Sequence, residues 1–458
     1  MKEQDLTSGD ISKQIRLIAI PASVGFFFNT MYNAVDTYFG GLISTDALAA
    51  LSLSFPVFFL IIALGVGIST GASALIANAV GAKDETEARV YASQALSFSV
   101  IVSLFLTVIG FWIAPFLFTL LGAQGRYLEI ATNYINIILL GAVFFSLTFV
   151  MSGILSARGD TATFRNFLIV GFFLNCFLDP AFMFGWLGLP AMGLSGVAWA
   201  TVVIQVIGVG YMGWVLTRRG VLCKECLPLL IPKPKYFRAL FGQGFPASLN
   251  MLTIAVGIFI ITYFVAPFGK AAVAAYGIMT RMDQIAMLPS IGLTTAALTL
   301  IAQNNGAGKF ERCREIYRTV MRYGFIVGII GMVVAYLFAT PFIKLFTHDP
   351  EVVRIGVHYL HISIWIYWAY MILYLVVATL QGLKSPNFAF WIGTYRQIIA
   401  PIIFFYLFAR VLNWQLDGIW WGIFAINWTA VIISLLYAKK VMDRLFGQDL
   451  RKAKMGVE

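Results

Sequence analysis

Long apolar stretches, separated by short polar loops, recur from one end of the chain to the other. They fall at approximately 15–41, 48–78, 90–120, 128–153, 163–187 and 193–217. After a polar, basic stretch they resume at 239–267, 272–303, 315–346, 354–382, 387–411 and 418–440. A helix needs about 20 predominantly apolar residues to cross the hydrocarbon core of a bilayer, and every stretch is long enough. The pattern predicts an all-α polytopic membrane protein with twelve transmembrane helices.

Composition agrees. Hydrophobic residues make up 60% of the 458 and charged residues 12%, against the roughly 45–50% apolar content of soluble domains. Residues Met1 to Asp10 are polar, and no small-residue cleavage site follows the first apolar run, so no cleavable signal peptide is expected.

The net charge of +11 raises the question of nucleic acid, and position answers it. Alternate loops carry Lys83, Arg89, Arg158, Arg165, the basic cluster from Arg218 to Arg238, Lys309 to Arg322, and Lys439 to Lys454. The opposite loops hold Arg126, Lys270, Lys344, Arg354 and Arg410. Lys and Arg accumulate on the cytoplasmic side of membrane proteins. The asymmetry therefore predicts a multi-pass protein of the cytoplasmic (inner) membrane with both termini cytoplasmic. It also accounts for the charge, which excludes nucleic acid as a partner.

The two halves repeat. A shift of 225 positions puts Pro21-Ala22-Ser23 on Pro246-Ala247-Ser248, Ala49-Ala50 on Ala274-Ala275, Gly81-Ala82 on Gly306-Ala307, and Leu155 on Leu380. With six spans in each half, both halves begin on the cytoplasmic side. The repeat is then parallel, with a pseudo-two-fold axis along the membrane normal. The expected organisation is an N-terminal six-helix lobe (1–217), a cytoplasmic linker (218–238), a C-terminal six-helix lobe (239–440) and a cytoplasmic tail (441–458). Repeated bundles are the usual plan of secondary transporters, and no G-x-x-x-x-G-K-[ST] motif points to ATP.

Candidate chemistry lies inside the spans. Asn175 and Asp179 are four apart in the fifth stretch, on one helix face, and Asp36 lies in the first. A charge at a helix centre costs roughly 2.5–3.5 kcal/mol on insertion scales, so an intramembrane carboxylate marks a functional site. Pro180 adds polarity, because it removes a backbone N–H and strands a carbonyl one turn back. Counting 1.5 Å per residue from the outer ends, Asp36, Asn175, Asp179 and Thr201 fall within about 12 Å of one another in depth. Carboxylates, an amide and a hydroxyl form a hard-oxygen set that suits H⁺ or Na⁺.

Plainer readings stand beside this one. Asp36 is near a loop and could be interfacial. Asn175 and Asp179 could tie helices together, and Thr201 could bond its own helix backbone. Arg281 in the eighth stretch, two residues from Asp283 and not facing it, and Arg396 in the eleventh read as paired structural charges, with a substrate contact as the alternative for each. His358 and His361 have a spacing that could hold a metal, but no acid or Cys joins them in the sequence, so no metal is expected beyond Na⁺. Cys223-x-x-Cys226 is a weak metal or redox signal.

The chain resembles the multidrug and toxic compound extrusion (MATE) family over nearly its whole length. The resemblance rests on the twelve-span two-lobe plan, the Pro-Ala-Ser start of each lobe and the Gly-Ala-Lys loop after the second span. It rests also on Ser156-Ala-Arg-Gly-Asp160, Asn175…Asp179-Pro180 and Gly196-Val-Ala-Trp-Ala-Thr201. It implies no enzyme but an antiporter that exports amphipathic, often cationic, organic compounds in exchange for inward H⁺ or Na⁺.

Within the family the chain resembles the DinF-like branch, whose essential residues match Asp36, Asn175, Asp179 and Thr201. The NorM-like branch relies on acids in the seventh and tenth spans, which this chain lacks. Pro21 offers a point where the first helix can bend. Phe26, Phe27, Tyr32, Phe145 and Met151 are candidates for the wall of a substrate cavity. Small organic substrates and lipid are the expected partners, no cofactor is expected, and the protein is taken as a monomer.

Two other functions compete. A flippase for lipid-linked saccharides could use a related two-lobe plan, but it would want several cations to hold pyrophosphate, and the intramembrane charges of the first half are acidic. An intramembrane enzyme would need a nucleophile–base pair, and none stands out. The topology is directly testable. Cysteines introduced at Lys83, Lys233 and Lys309 should react with an impermeant reagent only from the cytoplasm, and those at Asp46 and Lys270 only from outside. The opposite labelling pattern would overturn the assignment.

Overall fold

A computed structural model describes residues 5–188 and 190–454. Lys2 and the last four residues of the expected tail lie outside them. The helices are α1 (Ile11–Ile43), α2 (Thr45–Gly81), α3 (Glu85–Leu120), α4 (Gly125–Ala157), α5 (Ala162–Phe184), α6 (Leu194–Arg218) and α7 (Pro234–Val265). There follow α8 (Lys270–Gly306), α9 (Phe310–Lys344), α10 (Pro350–Ser363), α11 (Ile366–Gly382), α12 (Asn387–Thr394), α13 (Ala400–Phe405) and α14 (Gln415–Lys454). No strand occurs among the described residues. Eleven helices are long and apolar enough to span a membrane, and the twelfth span is a broken one: α10 and α11 meet at a 52° bend. All twelve predicted spans are thus present. The break was not legible, because no Pro or Gly marks Ile364-Trp365 within a continuous apolar run. The eleventh span is also irregular, since Tyr395–Ile399 and Tyr406–Val411 are π-helical.

Polar side chains start the helices where the sequence turns. Asp84 accepts from the Glu87 amide at 2.9 Å, and Asp349 accepts from the Glu351 amide at 2.8 Å. Each satisfies an N–H that the first helical turn leaves without a partner. The 225-residue repeat reaches the backbone. Lys83 and Gly308, 225 apart, both take left-handed φ values, 60° and 69°. So do Gly159 and Lys384, at 82° and 58°.

The described chain forms two compact units. One holds Val24–Ser248; the other holds Asp5–Ser23 with Leu249 onward. Both boundaries fall just after the repeated Pro-Ala-Ser, and they too are 225 residues apart. The lobe limits expected at 217 and 239 follow the spans, whereas the compact units are cut inside α1 and α7. Glycine explains what each helix start packs on. In the N-terminal unit, a Cβ at Gly71 of α2 would lie 2.7 Å from the Gly244 amide of α7. Gly67, one turn away, lies equally close to Ser248. In the C-terminal unit, Gly292 of α8 occupies the same position against Ala19 and Ser23 of α1. Small residues let helix backbones meet in a membrane, where apolar surface alone gives no preference for protein over lipid.

Each unit also ties down the polar segment that leads into its helix start. In the C-terminal unit Asn304 donates to the Leu6 carbonyl at 3.1 Å, Lys309 to the Thr7 carbonyl at 2.9 Å, and Arg312 to the Gly9 carbonyl at 2.9 Å. In the N-terminal unit buried Gln94 of α3 donates to the Leu229 and Ile231 carbonyls at 2.5 and 2.7 Å and accepts from the Lys233 amide at 2.8 Å. The expected linker is therefore fastened along α3. Within it the Cys223 and Cys226 sulfurs are joined as a disulfide, not arranged as half of a metal site.

The Ser156-Ala-Arg-Gly-Asp160 turn is a charged knot. Arg158 pairs with Glu85 at 2.7 Å. Asp160, almost fully buried, accepts from the Thr163 amide at 3.0 Å and pairs with Arg219 at the end of α6. Arg219 is partly exposed, so removing Asp160 leaves a partly solvated charge and an unsatisfied Thr163 amide, a cost of about 1–3 kcal/mol. Asp160→Ala should therefore lower the heat stability of the purified protein in detergent by a free energy of that order. A melting curve unchanged from wild type would contradict it.

Candidate cation-coupling site

Packing between α5 and α6 positions the site, and glycine again permits it. A Cβ on Gly196 would lie 2.7 Å from the Phe182 carbonyl and 2.8 Å from the Met183 amide, so α6 must begin hard against the end of α5. Carbonyls that the end of α5 would leave bare accept from the loop: Met192 donates to Phe182 at 3.1 Å and Gly193 to Met183 at 3.2 Å. Thr201 of α6 comes beside Asp36 and Tyr32 of α1.

Asn175 bridges two carboxylates. Its Nδ2 donates to Asp36 Oδ1 of α1 at 2.8 Å and to Asp179 Oδ1 at 3.0 Å. An amide nitrogen has two hydrogens to give, and both are used. Asn175 and Asp179 are completely buried, Thr201 nearly so, and Asp36 is half-buried. The three residues expected from the sequence to form the core of the site therefore meet. Asp36 is no free interfacial charge, since it is hydrogen-bonded across helices.

Thr201 gives its hydroxyl proton to the Val197 carbonyl at 3.0 Å, the plainer of its two expected roles. The hydroxyl oxygen keeps its lone pairs for another group. Two further buried oxygens have no protein partner, Asn175 Oδ1 and Asp179 Oδ2, and the buried Tyr32 hydroxyl lies beside Thr201. A buried acceptor without a partner costs about 1–3 kcal/mol, so these atoms mark a place that a proton or small hard cation would satisfy. No group of three or more His, Cys, Asp or Glu is placed to hold a metal among the described residues. The donors are thus carboxylate, amide, hydroxyl and phenol oxygens.

Of the cavity-wall candidates, only Tyr32 joins the carboxylates, one turn before Asp36 on α1. Phe26 packs edge-on against Phe164 at 6.2 Å, and Phe145 packs edge-on against Phe58 at 5.5 Å inside the unit's core. Met151 is buried, and Phe27 is exposed beside Phe28. Pro21 lies inside α1 as expected. Tyr134 of α4 was missed: its phenol is buried within the field of both carboxylates. Nothing in the sequence separates it from the other 18 of the 19 tyrosines.

Two readings outside the site change. Neither intramembrane arginine has a carboxylate partner among the described residues: Arg281 lies over the Phe346 ring at 6.0 Å, and Arg396 over Tyr370 and Tyr374 at 5.4 and 5.7 Å. His358 does meet an acid, Asp417, at 2.9 Å, while His361 lies against Tyr336 at 5.4 Å. The pair therefore does not converge on one point.

Known proteins share this chain's sequence pattern and fold. The MatE family model matches the chain twice, at residues 21–181 and 246–407, and the two matches start 225 residues apart. The probable multidrug resistance protein YoeA of Bacillus subtilis is 27% identical over 427 residues, 89% of each chain. The FAD transporter of Shewanella oneidensis is 26% identical over 349 residues, 76% of this chain and 77% of its own. A solved MOP superfamily transporter from Pyrococcus furiosus superposes with a TM-score of 0.90 at 25% identity, covering 97% of this chain and 99% of its own. With both halves matched and the whole length shared, the chain belongs to the MATE family of membrane transporters, which are not enzymes.

Proposed function

We propose that the protein is an H⁺- or Na⁺-coupled exporter of amphipathic organic compounds, with Asp36, Asn175, Asp179 and Thr201 as its coupling site. The observation that carries this reading is the amide of Asn175 held between two intramembrane carboxylates, beside buried oxygens that have no partner. The relative named for multidrug resistance supports export of drug-like compounds. The acidic character of the site argues against a pyrophosphate-carrying flippase substrate. Both termini face the cytoplasm, the membrane is the inner one, and one chain is the working unit.

The mechanism follows from charge. Two ionised carboxylates held by one amide repel each other and attract a cation. A proton arriving from outside turns an acceptor into a donor at Asp36 or Asp179, cancels the repulsion and removes the attraction for a cationic substrate. Asp36 sits on α1 beyond Pro21, so a changed bond from Asn175 to Asp36 alters which position of the outer part of α1 is favoured. A ligand shifts such an equilibrium only by its differential affinity for the two states, and here the proton supplies the difference. Na⁺ would act through the same oxygens.

Reconstituted vesicles test the reading. A cationic dye should move against its gradient only when an inward H⁺ or Na⁺ gradient is imposed, and the ion that works identifies the coupling ion. Transport indifferent to both gradients would refute coupling. Asp36→Asn and Asp179→Asn preserve size and mimic the protonated state, so each should reach the membrane normally. Each should export at below about a tenth of the wild-type rate, and the double variant should be no worse, because residues acting as one unit are non-additive. Full export by Asp179→Asn would sink the assignment. Asn175→Leu, which removes the bridge and leaves both acids, should fail in the same way.

A further inference from the structure

The C-terminal unit contains an intramembrane cation with no use in the coupling site. Arg396 is the tenth residue of the eleventh span, about 14 Å along a helix that begins at Asn387 and so near the middle of a core about 30 Å thick. Its guanidinium lies over the rings of Tyr370 and Tyr374 of α11. The negative face of each ring attracts the cation, so the partly buried charge is held without a carboxylate. Neither ring accepts the directional bonds of the five guanidinium N–H groups. Among the described residues no carboxylate pairs with Arg396, whereas Arg158, Arg219 and Arg314 all have one.

Two backbone irregularities meet at this residue. Arg396 sits in the π-helical turn Tyr395–Ile399, a feature concentrated at functional sites. Tyr370 and Tyr374 follow the 52° break between α10 and α11, and interrupted spans frame binding sites in transporters because irregular backbone is tolerated where it lines a cavity. Close packing holds the turn in place: a Cβ at Gly257 of α7 would fall within 2.8 Å of Gln397 Cδ, so the neighbour of Arg396 is wedged against α7. Further polar groups lie nearby: the buried Tyr367 hydroxyl faces Asp283, and Asn427 faces Tyr370. Tyr370 stands within the fields of both Arg396 and Asp283 of α8, so the cluster carries both signs.

We propose that Arg396, with the faces of Tyr370 and Tyr374, forms a substrate subsite for the carboxylate of an aromatic amphiphile, one that is zwitterionic rather than purely cationic. A guanidinium offers two parallel N–H groups that match a carboxylate, and the phenol rings give flat apolar surface for the ligand's own ring. The proposal deepens the exporter reading and rests on it for the word substrate; the binding chemistry stands apart from it.

A matched dye pair tests it without any ion gradient. Rhodamine 110 is a zwitterion with a free carboxylate, and rhodamine 123 is its cationic methyl ester. Equilibrium dialysis against the purified full-length protein in detergent near neutral pH measures both affinities. Wild-type protein should bind the acid more tightly than the ester. Arg396→Gln should weaken the acid by about tenfold, as loss of a charge-assisted bond does, and leave the ester unchanged. Arg396→Lys, which keeps the charge and loses the fork, should fall between. Wild-type protein that binds both dyes alike, or neither, overturns the proposal whether or not the variants fold. So does Arg396→Gln that weakens both dyes equally or neither. Failure of gradient-driven export with the dye preference intact would instead refute only coupling.

Discussion

One amide holds the site together. Asp36 and Asp179 come from helices far apart in sequence, and each would be expensive alone in a bilayer. Asn175 donates one hydrogen to each and thereby fixes α1 against α5 by polar bonds in a region where apolar contact is available equally from lipid. The rest of the N-terminal unit serves that placement. Gly196 lets α6 start against α5, Asp160 caps α5 and holds α6 through Arg219, and Pro180 stops the helix from satisfying its own backbone beside Asp179. A strong bond here would be a poor switch if it were permanent. It depends on the charge of its acceptors, and a single proton changes that charge.

The repeat gives the second constraint. Pro-Ala-Ser in α1 and in α7 marks where each helix passes from one compact unit to the other. On the near side the helix is pinned backbone to backbone, at Gly292 in one unit and at Gly67 and Gly71 in the other. On the far side of Pro21, α1 carries Tyr32 and Asp36. The proline removes one backbone hydrogen bond at the junction, so the two parts of the helix are less rigidly coupled than the parts of an unbroken one. The same device in α7 has no acid beyond it, so the two carboxylates bridged by one amide belong to the first half of the chain.

The units therefore share a plan and differ in chemistry. The N-terminal unit buries two carboxylates with amide, hydroxyl and phenol oxygens. The C-terminal unit buries a large aromatic core around Trp420, with Tyr276 stacked on it at 6.3 Å and Tyr359 edge-on at 4.7 Å. Asp283 faces the phenols of that core, while partly buried Arg396 lies over Tyr370 and Tyr374, so the two are separated by phenols rather than paired. Aromatic faces accommodate a cation at modest cost and leave its N–H groups available, which a salt bridge would not.

Periodicity and composition were enough for the span count, the membrane setting and the repeat, because a bilayer demands apolar length and every span must meet the demand separately. The site carboxylates were legible for the same reason: an acid inside an apolar run is conspicuous wherever it points. The tertiary structure alone decided which groups meet. Asn175 and Asp179 share a helix face by spacing, but the reach of that face to Asp36 depends on how α1 lies on α5. Tyr134 and Phe145 are both buried aromatic residues of α4 in one core cluster, yet Tyr134 also stands within the field of the carboxylates while Phe145 packs on Phe58, and no local pattern separates them. The break before Tyr367, the π-turn at Arg396 and the missing partner of that arginine were equally hidden. Backbone irregularity in an apolar run leaves hydropathy unchanged, and a charge is paired or unpaired only in three dimensions.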